Sequence, residues 1–352
     1  MSQLKNVSII GSGNWGSAIA TVLGPSVKRQ PELFNPVIKM WVHEEVVDGQ
    51  PLHEIINTKH ENTRYLPNVR LPMNVVGVPD IVEVAEYADI LVFVFPQQFV
   101  KIVCDQMAGH VKPTAIGVSL IKGMHIRRTC SIQLHSWTFS KLLGIPVSVL
   151  MGANVARETA WRQFCEATIG TKTKEEGEML KKLFHSDNFR CAVVVGDSDT
   201  VELLGALTNL IACAAGFTDG LNMGHNTKAA VFRLATVEMI KFAKDFDPNS
   251  RLTTFRESCG LSSLIAASYG GRNRLVCEEF VRSGKTIEEL EQTMLKGQKL
   301  QGPHTAYQVW RVLDHNKKLD EFPILGSIHL ILTQKMEPMK MIDLLRDHPA
   351  HH

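Results

Sequence analysis

The sequence of 352 residues predicts an α/β protein with a doubly wound, mainly parallel sheet first and an all-α domain after it. Three observations carry this prediction. Short β-rich runs alternate with helix-like stretches in the first half, a glycine-rich turn follows the first run, and from about residue 198 the pattern is helical. Such alternation is typical of βαβ units, whose strands are parallel. At roughly 150 residues per domain, we expect two domains, residues 1–197 and 198–352.

The predicted strands are runs rich in Val, Ile and Phe that end in Gly, Pro, Asn or Asp. In chain order they are Val7 to Ile10, Val37 to Val42, Asn74 to Val78, Ile90 to Phe95, Ala115 to Ile121, Val147 to Met151 and Asn188 to Val195. The long helical segments that follow are Thr200 to Phe217, Lys228 to Phe246 and Ile287 to Leu295. The last of these opens with Thr286 and Glu289 at capping-box spacing.

Composition and charge exclude several classes of function. Thirty-eight Lys and Arg against 36 Asp and Glu leave a charge of +2, which gives no basis for a nucleic-acid partner or an anionic membrane. The seven cysteines lack CxxC spacing, so we expect reduced thiols and no metal site. HExxH, GxSxG and complete P-loop patterns are absent from the sequence. The N-terminus runs into a strand without a signal-type apolar core, and no run of 18 apolar residues occurs, so we expect a cytoplasmic protein.

The sharpest motif is the GxGxxG turn between the first predicted strand and helix. Gly11 permits the tight turn, Gly13 lets a pyrophosphate approach the backbone, and Gly16 lets the helix pack close to the strand. The N–H groups and the positive dipole at the start of the helix favour an anion. The N-terminal domain is therefore predicted to be a Rossmann-type dinucleotide-binding domain.

The acidic residue that binds the ribose in such domains is predicted to be Glu44 or Glu45, at the end of the second strand. Either lies farther from Gly16 than the usual ~20 positions, and an inserted connection from Pro25 to Pro36 would account for the excess. Two carboxylates would repel a 2′-phosphate and no arginine follows directly, so NAD is favoured over NADP.

The whole chain resembles one family. The segments that carry the resemblance are GSGNWGSAIA (11–20), HENTRYLP (60–67), SLIKG (119–123), VLMGAN (149–154), NTKAAV (226–231), YGGRNR (269–274) and GQKLQGP (297–303). They are similar to those of the eukaryotic cytosolic NAD-dependent glycerol-3-phosphate dehydrogenases. The resemblance implies a homodimeric enzyme that interconverts dihydroxyacetone phosphate and NADH with sn-glycerol 3-phosphate and NAD.

The resemblance also implies roles for individual residues. The cofactor would be bound by Gly11, Ser12, Gly13, Asn14, Trp15, Gly16, His43, Phe99, Ala156, Arg272, Lys299 and Gln301. His43 stands where the family usually has an aromatic residue near the adenine, and Phe99 and Ala156 would line the nicotinamide side. Arg272 and Asn273 would hold the substrate phosphate, and Lys122 would lie beside the substrate oxygens. The catalytic candidates are Lys122, Asn209 and the residue at position 208.

Three residues depart from the family pattern. Thr208 stands where the family has the lysine proposed to donate and accept the proton, and Ser263 and Ala267 replace an aspartate and a threonine. Losing a positioned acid typically costs ~10²- to 10⁴-fold in rate. Because both charges of the pair are absent, no carboxylate is left buried without its partner, and folding should survive.

Three functions remain open at this point. In the first, the chain is a glycerol-3-phosphate dehydrogenase with reduced activity carried by Lys122. In the second, it is a catalytically silent NAD-binding paralogue that serves as a heterodimer partner or regulator. In the third, it is a dehydrogenase redirected to another phosphorylated carbonyl compound.

Overall fold

The structure is a computed structural model that describes residues 3–351. The chain divides into two compact units, Met1–Ile121 with His135–Ser198, and Lys122–Leu134 with Asp199–His352. The main division lies between Ser198 and Asp199. The sequence did not predict that Lys122–Leu134 groups with the second unit. This segment folds as a small hairpin there and brings the Lys122 ammonium to Ser263.

The strands, in chain order, are β1 (Lys5–Ile10), β2 (Phe34–Trp41), β3 (Val46–Val47), β4 (Gln50–Pro51), β5 (Glu61–Asn62), β6 (Leu66–Arg70), β7 (Val75–Val78), β8 (Ile90–Phe93), β9 (Ile116–Ser119), β10 (His125–Ile126), β11 (Ile132–Gln133), β12 (Val147–Gly152), β13 (Cys165–Thr171) and β14 (Phe189–Val195). The helices of the first unit are α1 (Asn14–Arg29), α2 (Leu52–Lys59), α3 (Ile81–Tyr87), α4 (Val100–Met107), α5 (His135–Leu143), α6 (Ala156–Ala160) and α7 (Lys174–Phe184).

The first unit is built on one eight-stranded sheet of order β14-β13-β12-β9-β8-β1-β2-β7. From β7 to β12 all neighbours are parallel, and their order is that of the six strands of a Rossmann domain. The predicted doubly wound, mainly parallel sheet is confirmed. β13, which the sequence analysis missed, pairs antiparallel with β12. Its sequence, CEATIGT, contains a single large aliphatic residue, so its burial comes from its neighbours.

The central strands are buried on both faces of the sheet. In β8, Ile90 and Val92 belong to the apolar cluster on one face, and Leu91 and Phe93 belong to the cluster on the other. Successive side chains of a strand point to opposite faces of the sheet, so a strand buried on both faces needs an unbroken run of apolar residues. Phe93 stacks on Phe139 of α5, with ring centroids 4.0 Å apart.

Helix α1 follows the glycine turn and is longer than the sequence suggested. Pro25 lies inside the helix, which continues to Arg29, and β2 begins at Phe34. The predicted connection from Pro25 to Pro36 is therefore wrong. Proline removes one helical hydrogen bond. The helix nevertheless continues past Pro25, because it buries Val22, Leu23 and Val27 against the sheet. The long spacing before Glu44 comes from this helix and from the length of β2.

The second unit is helical apart from the two-residue strands β10 and β11. Its helices are α8 (Ser198–Gly220), α9 (His225–Phe246), α10 (Leu252–Phe255), α11 (Ser263–Gly270), α12 (Arg272–Ser283), α13 (Ile287–Leu295), α14 (Gln301–His315), α15 (Pro323–Leu332) and α16 (Pro338–Arg346). The capping box of Thr286 and Glu289 at the start of α13 is confirmed. A π-helical turn, Ser258–Ser262, precedes α11.

Helix α8 forms the centre of this unit. Among the described residues it is the one helix long and apolar enough to cross a membrane, but 94% of its apolar window is buried inside the protein. Such extensive burial is typical of a helix in the core of a protein.

A buried carboxylate ties three parts of the second unit together. Glu238 of α9 accepts hydrogen bonds from the backbone N–H groups of Ile324 and Leu325, each at 2.8 Å, at the start of α15. Its Oε1 also lies 2.8 Å from Nε2 of His348. Burial raises the pKa of Glu238 above its usual range, while these donors favour the charged form. The C-terminal residues are thereby held against α9 and α15.

Candidate active site

The glycine turn lies between β1 and α1, and its three glycines meet different constraints. Gly11 has φ +120°, and a Cβ there would lie 2.5 Å from the carbonyl oxygen of Val94. A Cβ on Gly16 would overlap the carbonyl oxygen of Gly11. Nothing lies within 4 Å of a Cβ on Gly13. The fold therefore requires Gly11 and Gly16, whereas the space in front of Gly13 is open to a ligand.

Asn62, which the sequence analysis did not single out, holds this turn in place. Its fully buried amide donates to the carbonyl oxygen of Ser12 at 2.6 Å and to Oγ of Ser17 at 2.8 Å. Its Oδ1 accepts from the backbone N–H of Tyr65 at 3.0 Å. Because no side chain caps the N-terminus of α1, its N–H groups remain available to a phosphate. The turn therefore fits the pyrophosphate of a dinucleotide.

We expect Asn62→Leu to weaken NADH binding about tenfold, or about 1.4 kcal/mol, because the turn loses its buried anchor. The orphaned polar groups should also lower the free energy of unfolding by about 1–3 kcal/mol. The matched control is Asn57→Leu. Asn57 also bonds to backbone, at both N–H and C=O of Gly77, with distances of 2.7 and 2.9 Å. It should lose stability without weakening NADH binding, as measured by NADH fluorescence titration; equal weakening in both variants would contradict the role of Asn62.

The other predicted cofactor residues of the first unit follow the carboxyl ends of its strands, at the edge where the glycine turn lies. His43 and Glu44, after β2, are exposed. Phe99 follows β8 and is 45% exposed, and Ala156, after β12, is the first residue of α6. Glu45 lies 3.0 Å from Nε of Arg64 and accepts from the Tyr65 hydroxyl at 2.8 Å. Arg64 therefore partly neutralises the charge of Glu45, one of the two predicted carboxylates. This ion pair could not be predicted from the position of Arg64 in the sequence.

In the second unit, the structure brings Lys122, Ser263 and Thr208 together. Nζ of Lys122 donates to Oγ of Ser263 at 3.0 Å, and this oxygen lies 3.2 Å from Oγ1 of Thr208. Thr208 and Ser263 are fully buried or nearly so. Burial lowers the pKa of Lys122 to about 8. The ammonium of Lys122, from another part of the chain, therefore lies beside Ser263 and Thr208, two of the three residues expected to depart from the family pattern.

A second cluster adjoins the first through α8. Nδ2 of Asn273 donates to Oδ1 of Asn209 at 3.2 Å, and its Oδ1 accepts from the N–H of Gly302 at 3.0 Å. Asn209 follows Thr208 in α8, Asn273 lies in the first turn of α12, and Gly302 follows Gln301 at the start of α14. These amides fix the helix ends that carry the predicted phosphate and cofactor residues.

The two predicted cations of this region have partners that the sequence did not reveal. Arg272 donates from Nη1 to Oε1 of Gln298 at 2.8 Å, and burial lowers its pKa. Lys299 forms an ion pair with Glu291 at 2.5 Å, and the other oxygen of that carboxylate accepts from the N–H of Leu300. Ala267, on α11, offers no side-chain polar atom. Within residues 3–351, no group of three or more His, Cys, Asp or Glu could hold a metal ion.

The strand order and the glycine turn define a Rossmann-type dinucleotide-binding protein with a separate helical unit. Two family models match the chain, the N-terminal part of NAD-dependent glycerol-3-phosphate dehydrogenase over residues 6–177 and the C-terminal part over residues 197–343. The chain belongs to this family, whose members are oxidoreductases of the CH–OH group with NAD as cofactor.

Individual relatives match over the full length. The cytoplasmic NAD-dependent glycerol-3-phosphate dehydrogenase of Drosophila ezoana is 52% identical over 351 residues, covering 100% of both chains. The glycerol-3-phosphate dehydrogenase structure from Saccharomyces cerevisiae has a TM-score of 0.89 at 36% identity and covers 97% of this chain and 99% of that one. The enzyme structure from Dunaliella salina has a TM-score of 0.93 at 38% identity over 97% of this chain, which spans 60% of that protein. The curated relative's name agrees with the predicted cytoplasmic location.

Proposed function

We propose that the chain interconverts dihydroxyacetone phosphate and NADH with sn-glycerol 3-phosphate and NAD, that Lys122 supplies the positive charge and the proton, and that turnover is below that of family members with a lysine at position 208. One observation carries this proposal: the Lys122 ammonium lies 3.0 Å from Ser263, which in turn lies 3.2 Å from Thr208. Lys122 therefore places a cation two hydrogen bonds from Thr208, where the resemblance predicts the missing lysine.

The hydrogen bonds of this cluster run in one direction. Thr208 donates its single hydroxyl proton to the carbonyl oxygen of Gly205 at 3.2 Å. We therefore assign the proton between the two hydroxyls to Ser263, which accepts from Lys122. Because the proton of Thr208 is engaged by the backbone, we assign the two hydroxyls to positioning Lys122 and the chemistry to the ammonium.

The nicotinamide, when bound, supplies or accepts the hydride. As the carbonyl carbon is reduced, negative charge develops on its oxygen, and the Lys122 ammonium stabilises that charge and then donates a proton. Removing one such donor typically costs about 10²- to 10³-fold in rate. A lysine whose pKa lies near the working pH is well suited to both steps. The hydrogen bond between the amides of Asn209 and Asn273 joins α8 to the start of α12.

For the rest of the site, we assign the pyrophosphate to the turn from Gly11 to Gly16 and the substrate phosphate to Arg272 and Asn273. A guanidinium group binds phosphate through two parallel hydrogen bonds.

We also propose that the protein is a homodimer. Size-exclusion chromatography with light scattering at two protein concentrations would test this, and a monomer at both concentrations would contradict it.

The proposal predicts the pH dependence of the reaction. The reduction needs protonated Lys122, so kcat/KM for dihydroxyacetone phosphate should fall as pH rises through about 8, the pKa of this lysine. Oxidation of glycerol 3-phosphate needs the amine, so its kcat/KM should rise over the same range. Both profiles are measured from NADH absorbance between pH 6 and 10. Two profiles with no inflection near 8 would contradict the role of Lys122.

The same assay distinguishes the alternatives. A silent paralogue would bind NADH without turnover, and a redirected enzyme would oxidise NADH with another phosphorylated ketone or aldehyde but not with dihydroxyacetone phosphate.

A further inference from the structure

A pocket in the first unit lies apart from all the residues assigned so far. Its wall is formed by residues of α1, by the end of α6 with the residues that follow it, and by the segment between α7 and β14. Its volume is about 130 Å³. A cavity that holds a single water needs roughly 10–15 Å³, so this pocket has room for a small organic molecule.

Two arginines make this pocket basic. Arg29, the last residue of α1, and Arg162, just after α6, both line it. Neither guanidinium group has a hydrogen bond or an ion pair to any residue in the part of the chain that the structure describes. Arg162 is held in place through its backbone, at φ +58°, where its carbonyl oxygen accepts from the Asn188 amide at 2.6 Å. Unpaired guanidinium groups on two different elements favour an anion with several oxygens.

The pocket also offers acceptors. Pro25 has no N–H, so the carbonyl of Thr21, one helical turn earlier, lacks its usual helical donor, and both residues line the pocket. Asp187, which carries a carboxylate, lines the pocket as well. It would repel a bare anion, but it can accept a hydrogen bond from a hydroxyl group. The lining therefore combines two cations for an anionic head with acceptors for hydroxyl groups.

We propose that this pocket binds a small phosphorylated polyol, with its phosphate on Arg29 and Arg162 and its hydroxyl groups on the Thr21 carbonyl and Asp187. The site is distinct from that of the cofactor. Helix α1 has 16 residues, which at 1.5 Å per residue separates Arg29 from the glycine turn by about 24 Å along the helix. The proposal is independent of turnover and of the proposed function.

The test is thermal unfolding with glycerol 2-phosphate as the probe, in full-length protein carrying Arg272→Gln so that the predicted substrate-phosphate anchor is silenced. We expect a saturable rise in Tm of about 2–4 °C at a tenfold excess over Kd. Adding Arg29→Gln and Arg162→Gln should abolish this rise. Lys28→Gln with Arg190→Gln, which removes two nearby charges that do not line the pocket, should preserve it.

The other outcomes would overturn the proposal. A rise that survives Arg29→Gln with Arg162→Gln, or is lost equally in the control, would show that the pocket is not the site. An equal rise with inorganic phosphate would indicate an adventitious ion only, and an equal rise with glycerate would remove the need for a phosphate. No rise with glycerol 2-phosphate in the starting protein would contradict binding altogether.

Discussion

The double substitution Thr208→Lys with Ser263→Asp is expected to raise kcat for dihydroxyacetone phosphate reduction by about 10²-fold, because it installs a dedicated acid beside the substrate oxygen. The two changes should be strongly non-additive. Thr208→Lys alone adds a second ammonium next to Lys122, with no carboxylate between them. Ser263→Asp alone adds a carboxylate at hydrogen-bond distance from Lys122, which should raise the pKa of that lysine above about 8.

The measurement is NADH oxidation by all four proteins, with NADH affinity and the free energy of unfolding determined in parallel. Thr208→Lys alone should be the least stable, because a buried charge without a partner costs about 3–5 kcal/mol. Ser263→Asp should restore that stability in the double variant. A double variant that is as stable as the natural chain and binds NADH, but turns over at the same rate, would show that the departures do not limit catalysis.

Gly13→Ala is expected to weaken NADH binding about 10²-fold while leaving the free energy of unfolding unchanged. The new methyl group meets no protein atom within 4 Å, so it affects only the ligand. Two hydrogen bonds from backbone to phosphate, at about 1.5 kcal/mol or more each, correspond to a factor of about 10². Gly16→Ala should instead destabilise the protein by about 1–3 kcal/mol, because its Cβ overlaps the carbonyl oxygen of Gly11.

Gly224→Ala is the matched control for Gly13→Ala. Gly224 precedes α9 as Gly13 precedes α1, both have extended backbone (φ −72° and −64°), and both have open space around a Cβ. The control should leave both NADH affinity and stability unchanged. Fluorescence titration and urea unfolding measure the two quantities, and an unchanged NADH affinity in Gly13→Ala would contradict the assignment of the turn to the pyrophosphate.

The sequence predicted the features that follow from local patterns. An apolar run such as Ile90 to Phe93 is sufficient to indicate a strand buried on both faces, and the spacing of Gly11, Gly13 and Gly16 indicates the turn. The course of α1 through Pro25 could not be predicted, because tertiary burial of the helix outweighs the local cost of the proline. β13 was missed for a related reason, since its own residues are small or polar.

The site was predicted only in part. Lys122 and Thr208 could be selected by resemblance, but their connection through Ser263 depends on residues far apart in the chain. Asn62 acts through its amide on the backbone of the turn, and a single asparagine at the end of a two-residue strand has no distinguishing pattern. Its burial, which only the fold reveals, is the signal that identifies it.

The measurement that tests the central claim most directly is NADH oxidation with dihydroxyacetone phosphate by the natural chain and by Lys122→Met, with NADH affinity determined for both. Lys285→Met, which removes an exposed lysine of the same unit, is the control. We predict measurable turnover in the natural chain and in the control, and a loss of at least about 10²-fold in Lys122→Met with NADH affinity retained. No turnover in the natural chain despite NADH binding, or full turnover in Lys122→Met, would contradict the assignment of catalysis to Lys122.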